Sequence, residues 1–256
     1  MQIEKGLSLK PRTQDLHHQT FVLVVPTLNE AGNIERVLRQ IQSALASIPI
    51  VYEVIVVDDG STDGTPDIVR ACSDSDSRIR LISRQNQRGL AGAVVHGWHH
   101  SNADLLGVID ADLQHPPELL PALLEAMCEG CDIAVGSRYA DKNGVDGWNP
   151  VRAAISRIST WAAMPLQRRG LHIEDPMSGF FIVRREVIDG LSFETKGFKL
   201  LLEILVRAPI RSAREIPFHF GVRTAGKSKA SATVALRYLH LLGKLSRDLI
   251  LRPNPQ

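Results

Sequence analysis

The sequence predicts an α/β protein whose mostly parallel, twisted sheet carries helices on both faces. Short runs rich in β-branched residues alternate with stretches of helical periodicity, which is the pattern of a parallel sheet. The runs are apolar throughout, as expected of strands that are buried on both sides. The 256 residues, 44% of them hydrophobic, can bury one sizeable core. We therefore expect a flexible leader at 1–20, one main domain at 21–230, and a basic, amphipathic helix and tail at 231–256.

The first two strands are each followed by a polar turn and a helix. The run FVLVVP at 21–26 is β-branched and ends at a proline, so we predict a strand there. In the helix that follows, Asn29 is the candidate N-cap and the apolar residues recur at helical spacing. These apolar residues are Ile34, Val37, Leu38, Ile41 and Leu45. The run EVIVVD at 53–58 predicts the second strand, and PDIVRACS at 66–73 predicts its helix.

The same alternation continues through the first half of the chain. It predicts three more strands and two more helices: RIRLIS at 78–83, a helix at 89–100, LLGVID at 105–110, a helix at 116–130, and DIAVG at 132–136. Near the end of the chain, residues 231–252 place Leu, Val and Tyr on one side and basic residues around the other, which predicts an amphipathic helix.

Three polar clusters directly follow predicted strands. They are PTLNE at 26–30, DDGST at 58–62 and DADLQH at 110–115. Because the carboxyl ends of parallel strands lie at one edge of the sheet, where such sheets bind ligands, we expect the clusters to meet there. Helix caps and Asx turns would explain any one of the clusters, but they explain three at one edge less well.

The last of these clusters brings two carboxylates, Asp110 and Asp112, to the mouth of a buried strand. On an extended segment the side chains alternate, so both carboxylates would point to the same side, in step with Gln114. Oxygen ligands in this arrangement suit a hard divalent cation, Mg²⁺ or Mn²⁺, that also binds diphosphate oxygens. The motif D-x-D recurs by chance in many proteins, so its position at the shared edge is what supports this interpretation.

The charge of the chain is unevenly distributed. The formal net charge is +2, but residues 196–256 carry twelve Lys and Arg against three acids, a balance of +9 that leaves −7 for residues 1–195. The basic end should face an anionic partner. Phospholipid headgroups or a phosphate-bearing substrate fit better than nucleic acid, since aromatic residues make up only 5% and no nucleic-acid motif is present.

The sequence has neither a long apolar run nor a signal-peptide pattern. Three cysteines without a metal-binding spacing fit a reducing compartment, so Cys128 and Cys131 are expected to be ordinary helix-end residues. We expect a cytoplasmic protein that is peripheral on the inner face of the membrane, with recruitment by a separate membrane protein as an open alternative.

Beyond the last predicted strand, basic and polar residues could bind phosphate. Arg138 follows that strand at the same edge as the two aspartates, where a guanidinium can bind a phosphate in bidentate fashion. Residues 149–170 read as an amphipathic helix on which Arg152 and Ser156, four residues apart, face the same way. Its apolar stripe could lie on a bilayer surface or pack on the core, and both readings remain open.

Two later segments complete the candidate site. DPMSGFF at 175–181 contains Asp175 and Ser178 in a tight polar turn within an apolar neighbourhood. RTAGKSK at 223–229 is a glycine-containing basic loop, which is a solvated charge run by default. Beside a diphosphate site, it reads better as a lid whose Arg223 and Lys229 close over the phosphates and exclude water.

The motifs resemble those of family 2 glycosyltransferases of the GT-A fold, and among them the polyprenol (dolichol) phosphate mannosyltransferases. The resemblance covers about Phe21 to Lys229 and rests on motifs that occur in the family's order. These are PTLNE, VVDDGSTDGT, GLAGAV, DADLQHPPE, VGSRY, DPMSGFF, GFKLLLEIL and RTAGKSK. The resemblance implies that 21–230 is a GT-A catalytic domain.

The resemblance also assigns residues to parts of a sugar-nucleotide site. It implies that seven residues hold the nucleotide: Pro26, Leu28, Glu30, Val57, Asp59, Asp110 and Ala111. Asp112 and Gln114 would bind the metal, and four residues would face the acceptor: Arg152, Ser156, Asp175 and Ser178. Leu28 stands where relatives often carry an aromatic residue, so stacking on the base would be weaker there.

The implied reaction is an inverting, metal-dependent transfer of mannose from GDP-mannose to a polyprenyl or dolichyl phosphate. Asp112, Arg138, Arg223 and Lys229 would be catalytic, because the metal and the cations stabilise the departing diphosphate. The acceptor phosphate is already ionised, so no strong general base is required. Three alternatives remain open: UDP-glucose or another donor, a soluble acceptor, and a noncatalytic membrane-bound regulator that keeps the fold.

Overall fold

The computed structural model describes residues 16–85, 88–140, 157, 159–167, 171–193, 199–219 and 232–251. These residues form a seven-stranded sheet with the strand order β3-β2-β1-β4-β6-β5-β7. The strands are β1 Thr20–Thr27, β2 Val51–Asp58, β3 Ile79–Ser83, β4 Leu105–Val108, β5 Ile133–Ser137, β6 Phe181–Arg184 and β7 Ala213–Pro217.

Four helices alternate with the first five strands, as the sequence predicts: α1 Ile34–Leu45, α2 Thr65–Ser75, α3 Leu90–His99 and α4 Leu120–Cys128. After β6 come α5 Arg185–Ile188, α6 Leu200–Arg207 and α7 Ala232–Leu251. Short 3₁₀ turns occur at Leu16–His18, Pro117–Leu119 and Met164–Leu166. Within the described residues, no helix is both long and apolar enough to cross a membrane.

The sheet is parallel except at β6, which runs antiparallel to both β4 and β5. The predicted mostly parallel α/β fold is therefore confirmed. Because β6 runs in the opposite direction, its first residue, Phe181, lies beside Val108 and Val135 near the carboxyl ends of their strands. The turn that precedes β6 thus reaches the edge at which ligands bind in parallel sheets.

Each face of the sheet is covered by an apolar layer. One layer packs α1, α2 and α4 on the sheet, and it buries all five of the apolar positions predicted for α1. The other packs α3 and α6, with Trp98 donating its indole N–H to the Gly107 carbonyl at 3.1 Å. Helix α3 lies so close to β1 that a Cβ on Gly97 would stand 2.7 Å from Val24. Only glycine fits this contact.

A third, smaller group of buried residues lies at the C-terminal end of the fold, and we call it the C-terminal cluster. It joins the turn at 163–166, helix α6 and helix α7 through Ala163, Leu166, Met177, Leu202, Val206, Leu241 and Leu245. On α6, Arg207 donates to Glu203 at 3.2 Å and to Asp248 of α7 at 2.9 Å. The part of α7 around Leu241 and Leu245 therefore packs on the protein.

The structure differs from the sequence expectations at two turns. Helix α1 begins at Ile34, so Asn29 is not its N-cap; Asn29 lies in a turn with φ of 59° and accepts a hydrogen bond from the Thr62 N–H. Strand β4 ends at Val108 and the chain then turns, with Leu113 at φ of 61°. The alternation of an extended strand therefore does not orient Asp110 and Asp112.

Candidate active site

The exits of β1 and β2 form one wall of the site. In the parallel register Pro26 is paired with Val57 and Thr27 with Asp58, so the two exits are side by side. The Asp58 carboxylate is buried and accepts hydrogen bonds from the Thr27 hydroxyl and from the backbone N–H groups of Gly60 and Ser61. Asp58 therefore shapes the turn, as the simple Asx-turn reading of this motif expects.

Five of the seven residues expected to hold the nucleotide lie at these two exits: Pro26, Leu28, Glu30, Val57 and Asp59. Leu28 and Glu30 are half-buried, whereas Val57 is fully buried in β2. Glu30 accepts a hydrogen bond from the Asn33 amide at 2.9 Å, and its own backbone N–H donates to the Thr65 hydroxyl at 2.9 Å. These contacts hold the β1 exit against the start of α2, so this wall is preorganised.

Asp59 forms a buried ion pair with Arg84. The Arg84 Nε lies 2.7 Å from Asp59 Oδ1, and its Nη2 lies 2.8 Å from Oδ2. Both side chains are less than a tenth exposed. The Gly89 backbone N–H also donates to Asp59 Oδ2 at 2.9 Å. The carboxylate is therefore fixed in its plane by three donors.

The turn after β4 carries the acidic motif. Ala111, Asp112 and Gln114 are buried there, and the side chain of Asp110 is 28% exposed. The Gln114 backbone N–H donates to Asp112 Oδ1 at 3.1 Å, which closes the turn. Leu113 is held at positive φ, a conformation that is unfavourable for a leucine and that clusters at functional sites.

His115 lies beneath this acidic turn as a neutral ring. Burial, and next to it the charge of Arg138, lowers the pKa of His115 to about 3. The ring packs between Phe180 and Phe218, and its Nδ1 lies 3.6 Å from Asp110 Oδ2. A ring with this pKa does not serve as a general base near neutral pH.

The oxygen donors of this turn fit a hard divalent cation. Asp112 and Gln114 supply a carboxylate and an amide oxygen, which are ligands that Mg²⁺ and Mn²⁺ accept. The described residues contain no group of three or more His, Cys, Asp or Glu side chains that could hold a metal by themselves. A cation here would therefore be completed by substrate phosphates and water, which is how Mg²⁺ is commonly bound.

Arg138 follows β5 and is paired with Asp175. Its Nε and Nη2 donate to Asp175 at 2.7 and 2.6 Å, and its backbone N–H donates at 3.1 Å. Burial opposes the charge, but the hydrogen bonds and the charge of Asp175 outweigh it and raise the pKa of Arg138. The guanidinium edge that the sequence analysis assigned to a phosphate thus binds a carboxylate of the same chain.

The turn before β6 braces this pair against the end of β5. The Ser178 hydroxyl donates to the Gly136 carbonyl at 2.6 Å, and Glu215 accepts hydrogen bonds from the backbone N–H groups of Glu174 and Asp175. A Cβ on Gly179 would stand 2.6 Å from Asp110 Oδ2. The acidic turn therefore lies directly against the Asp175 turn, and a side chain at 179 would have to displace the Asp110 carboxylate from this position.

Lys199 adds a second cation to the same place. Burial, followed by the positive charge of Arg138, lowers the pKa of Lys199 to about 8, while Asp175 and Asp110 act in the opposite direction. The residue immediately precedes α6. The charges of Arg138, Asp175 and Asp110 all act on Lys199. The acidic turn and the two cations therefore lie within one small region.

The structure therefore brings Asp110, Asp112, Gln114, Arg138 and Asp175 to one edge, beside the wall of β1 and β2. Four expected residues lie outside the described part of the chain: Arg152, Ser156, Arg223 and Lys229. Sequence reasoning did not identify Arg84 and Lys199. Their only signals were an arginine directly after a strand and a lysine in front of a helix within GFKLLLEIL.

The sequence profile of the family described as Glycosyl transferase family 2 matches residues 22–191, which is more than half of the chain. The chain belongs to glycosyl transferase family 2. Two relatives within the family are dolichol-phosphate mannosyltransferases. That of Pyrococcus furiosus is 38% identical over 88% of this chain and 63% of its own length. That of Saccharomyces cerevisiae is 36% identical over 88% of this chain and 86% of its own.

Solved structures of a mycobacterial synthase share the fold. Glucosyl-3-phosphoglycerate synthase from Mycobacterium tuberculosis, in complex with Mn²⁺ and UDP-glucose, matches with a TM-score of 0.66 at 20% identity, over 98% of this chain and 86% of its own. The same enzyme with Mn²⁺, UDP and glucosyl-3-phosphoglycerate gives a TM-score of 0.61 at 23% identity, over 98% and 84%. The resemblance read from the motifs, to this family and this fold, is confirmed.

Proposed function

We propose that this family 2 protein transfers mannose, with inversion, from GDP-mannose to a polyprenyl or dolichyl phosphate. The observation that carries the proposal is the meeting of an acidic turn, Asp110 to Gln114, with the cations of Arg138 and Lys199 at the carboxyl edge of the sheet. An anionic diphosphate and a second phosphate need such cations near them, and a sugar nucleotide needs the wall formed by β1 and β2.

The names of the relatives support the choice of donor and acceptor class. Both curated relatives are dolichol-phosphate mannosyltransferases, and 126 curated proteins match this chain. The chain spans 63% of the length of the P. furiosus relative, so the activity of that whole protein is carried over here as a proposal. The mycobacterial structures support a nucleotide-sugar site on this fold, since they contain UDP or UDP-glucose.

The donor is proposed to lie across the exits of β1, β2 and β4. Asp59 and Glu30 would bind the nucleoside, and the backbone at Pro26, Val57 and Ala111 would line its pocket. Asp112 and Gln114 would hold Mg²⁺ or Mn²⁺, which supplies Lewis-acid stabilisation to the leaving diphosphate. The role of this chain is to hold the diphosphate between the acidic turn and Lys199, whose charged form neutralises a phosphate oxygen.

The acceptor phosphate is proposed to approach from the side of Asp175. Its oxygen attacks the anomeric carbon in line, and the ionised phosphate needs no general base. The neutral, buried state of His115 agrees with a reaction that uses no histidine base. Arg138, which is fixed by Asp175, places a positive charge beside the reacting groups. Arg152 and Ser156 stay candidates for the acceptor, and Arg223 and Lys229 stay candidates for a lid.

A lipid acceptor requires contact with a bilayer surface, which we propose to occur through the helical turn at 159–163. Trp161 is 78% exposed there, and Arg157 and Pro165, four residues to either side, are also exposed. Tryptophan prefers the interface between water and lipid, and arginine can bind anionic headgroups. Leu241 and Leu245 of α7 are buried against the protein, so the turn at 159–163, rather than this helix, is the proposed contact.

The test is transfer of labelled sugar from GDP-mannose to a polyprenyl phosphate in detergent, with UDP-glucose in parallel and with Mg²⁺, Mn²⁺ or EDTA. Counts in the organic phase from GDP-mannose alone, abolished by EDTA, are the expected result. Label from UDP-glucose alone would replace the donor but keep the mechanism. If correctly folded protein gave no lipid product from either donor, the lipid-acceptor proposal would be wrong, and a soluble acceptor or a noncatalytic role would take its place.

A further inference from the structure

Arg84 and Asp59 are neighbours because of the register between β2 and β3. Asp58 at the end of β2 is paired with Ser83 at the end of β3, and the Arg84 backbone N–H donates to the Asp58 carbonyl at 2.8 Å. One residue further along, Asp59 and Arg84 therefore stand side by side at the carboxyl edge. Their side chains form the buried, two-bond ion pair described above.

The same arginine also fixes the start of α3. Its Nη2 donates to the Gly89 carbonyl at 3.1 Å, and the Gly89 N–H returns to Asp59 Oδ2. Gly89 is the N-cap residue of α3 and has a φ of 145°, which favours glycine. Arg84, Asp59 and Gly89 thus form a closed unit that joins β2, β3 and α3.

This unit fixes both oxygens of the Asp59 carboxylate. Oδ2 accepts hydrogen bonds from Arg84 Nη2 and from the Gly89 N–H. Oδ1 accepts one hydrogen bond, from Arg84 Nε, and Nη2 also lies 2.6 Å from it. A carboxylate oxygen has about two lone-pair sites, so Oδ1 is the oxygen that can accept a further hydrogen from an N–H of a base or an O–H of a ribose.

We propose that Arg84 is a positioning residue for the nucleoside half of the donor, acting through Asp59. This inference rests on the proposed function, since it takes the ligand to be a nucleoside diphosphate sugar. Arg84 holds the Asp59 carboxylate in the one orientation that accepts a hydrogen from the nucleoside. The diphosphate is bound elsewhere, by the acidic turn and Lys199, so Arg84 should affect the affinity for the nucleoside without affecting that for a bare diphosphate.

The experiment measures binding by calorimetry, with GDP, UDP and inorganic diphosphate as probes in the presence of Mg²⁺. Arg84→Gln should weaken GDP binding about tenfold or more, the loss expected when a hydrogen bond to a charged group is misaligned. It should leave the affinity for inorganic diphosphate within about twofold. In steady-state kinetics the KM for the donor should rise, while kcat at saturating donor and the KM for the lipid phosphate stay near their original values.

Four further variants separate positioning from a general loss of structure. Arg84→Lys keeps the charge but not the planar guanidinium, so its GDP affinity should lie between that of the original protein and that of Arg84→Gln. Asp59→Asn should weaken GDP binding as much as Arg84→Gln, and the double variant should be no worse than either. Arg80→Gln is the matched control, because Arg80 lies on β3, the strand that Arg84 directly follows, and pairs with Glu53.

The outcomes distinguish this inference from the proposed function. If folded Arg84→Gln or Arg84→Lys bound GDP as tightly as the original protein, the role of Arg84 would be overturned. The proposed function would not be affected by that result. Parallel losses for GDP and inorganic diphosphate would also overturn it, because they indicate a general disturbance of the site. If the unmodified protein bound neither GDP nor UDP, the proposed donor class itself would be wrong, and the inference would be overturned with it.

Discussion

Replacing Asp175 by asparagine should strongly destabilise the fold, because it removes one half of a buried ion pair. The Asp175 side chain is 0% exposed and that of Arg138 is 11% exposed. In Asp175→Asn, the Arg138 charge stays buried without its carboxylate, and three hydrogen bonds to the aspartate are weakened or lost. Removal of one partner from such a pair typically costs about 3–5 kcal/mol of unfolding free energy.

The expected shift in melting temperature follows from the size of the protein. For 150–250 residues, about 1 kcal/mol lowers Tm by about 2–4 °C, so Asp175→Asn should melt about 6–20 °C below the original protein. Urea unfolding followed by circular dichroism, together with calorimetry, would measure both quantities. The control is Asp67→Asn, which breaks an exposed pair with Arg70 and should cost about 0–1 kcal/mol.

A double variant tests the reasoning from the opposite direction. Arg138→Met with Asp175→Leu removes both charges, so it should be less destabilised than Asp175→Asn alone. The reasoning is refuted if Asp175→Asn loses less than about 1 kcal/mol, the range of exposed pairs, or if the double variant is the less stable of the two.

Four other changes have definite expected results. Asp112→Asn should lower sugar transfer by about 10²-fold or more while circular dichroism and Tm stay unchanged; full activity would rule out its metal role. Because the protonated form of Lys199 binds phosphate and its pKa is about 8, GDP affinity should fall as pH rises from about 7 to 9, and calorimetry should show no such fall in Lys199→Met. Arg207→Gln leaves Glu203 buried without its cation and removes the ion pair to Asp248 of α7, so amide hydrogen exchange across α7 should accelerate. Unchanged exchange would show that the C-terminal cluster alone holds α7 in place. Trp161→Ala should reduce sedimentation with anionic vesicles at unchanged Tm, and equal sedimentation would exclude that contact.

Periodicity identified the fold because the local signals in the first half are consistent with the tertiary structure. All five apolar positions predicted for α1 are buried, and the first five strands lie where β-branched runs predict them. The same reasoning did not identify β6 and β7. Phe181–Arg184 has only four residues and is buried throughout, so it shows no alternation that could separate strand from helix.

The site could be predicted from the sequence where a motif directly follows a strand. It could not be predicted where a contact between distant parts of the chain determines the geometry. The turns at Asp58 and Asp110 were located from the strand ends, but their conformations were not. Asn29 and Leu113 both adopt positive φ; asparagine visits this conformation, but no local propensity of leucine would suggest it. The pairing of Arg138 with Asp175 joins residues 37 positions apart. Such a pairing depends on the antiparallel course of β6, which the sequence pattern does not reveal.

The C-terminal cluster has a consequence for how such a protein can diversify. Its seven buried residues are distinct from those of the two layers on the sheet, but α6 contributes both to the cluster and to one of these layers. Strand β6 is shared as well, since Ile182 lies in one layer and Phe181 in the other. An exchange of segments between relatives would therefore have to retain β6 and α6 to keep the core of the sheet, whereas α7, among the described residues, meets that core only through the C-terminal cluster and is the element that can change most freely.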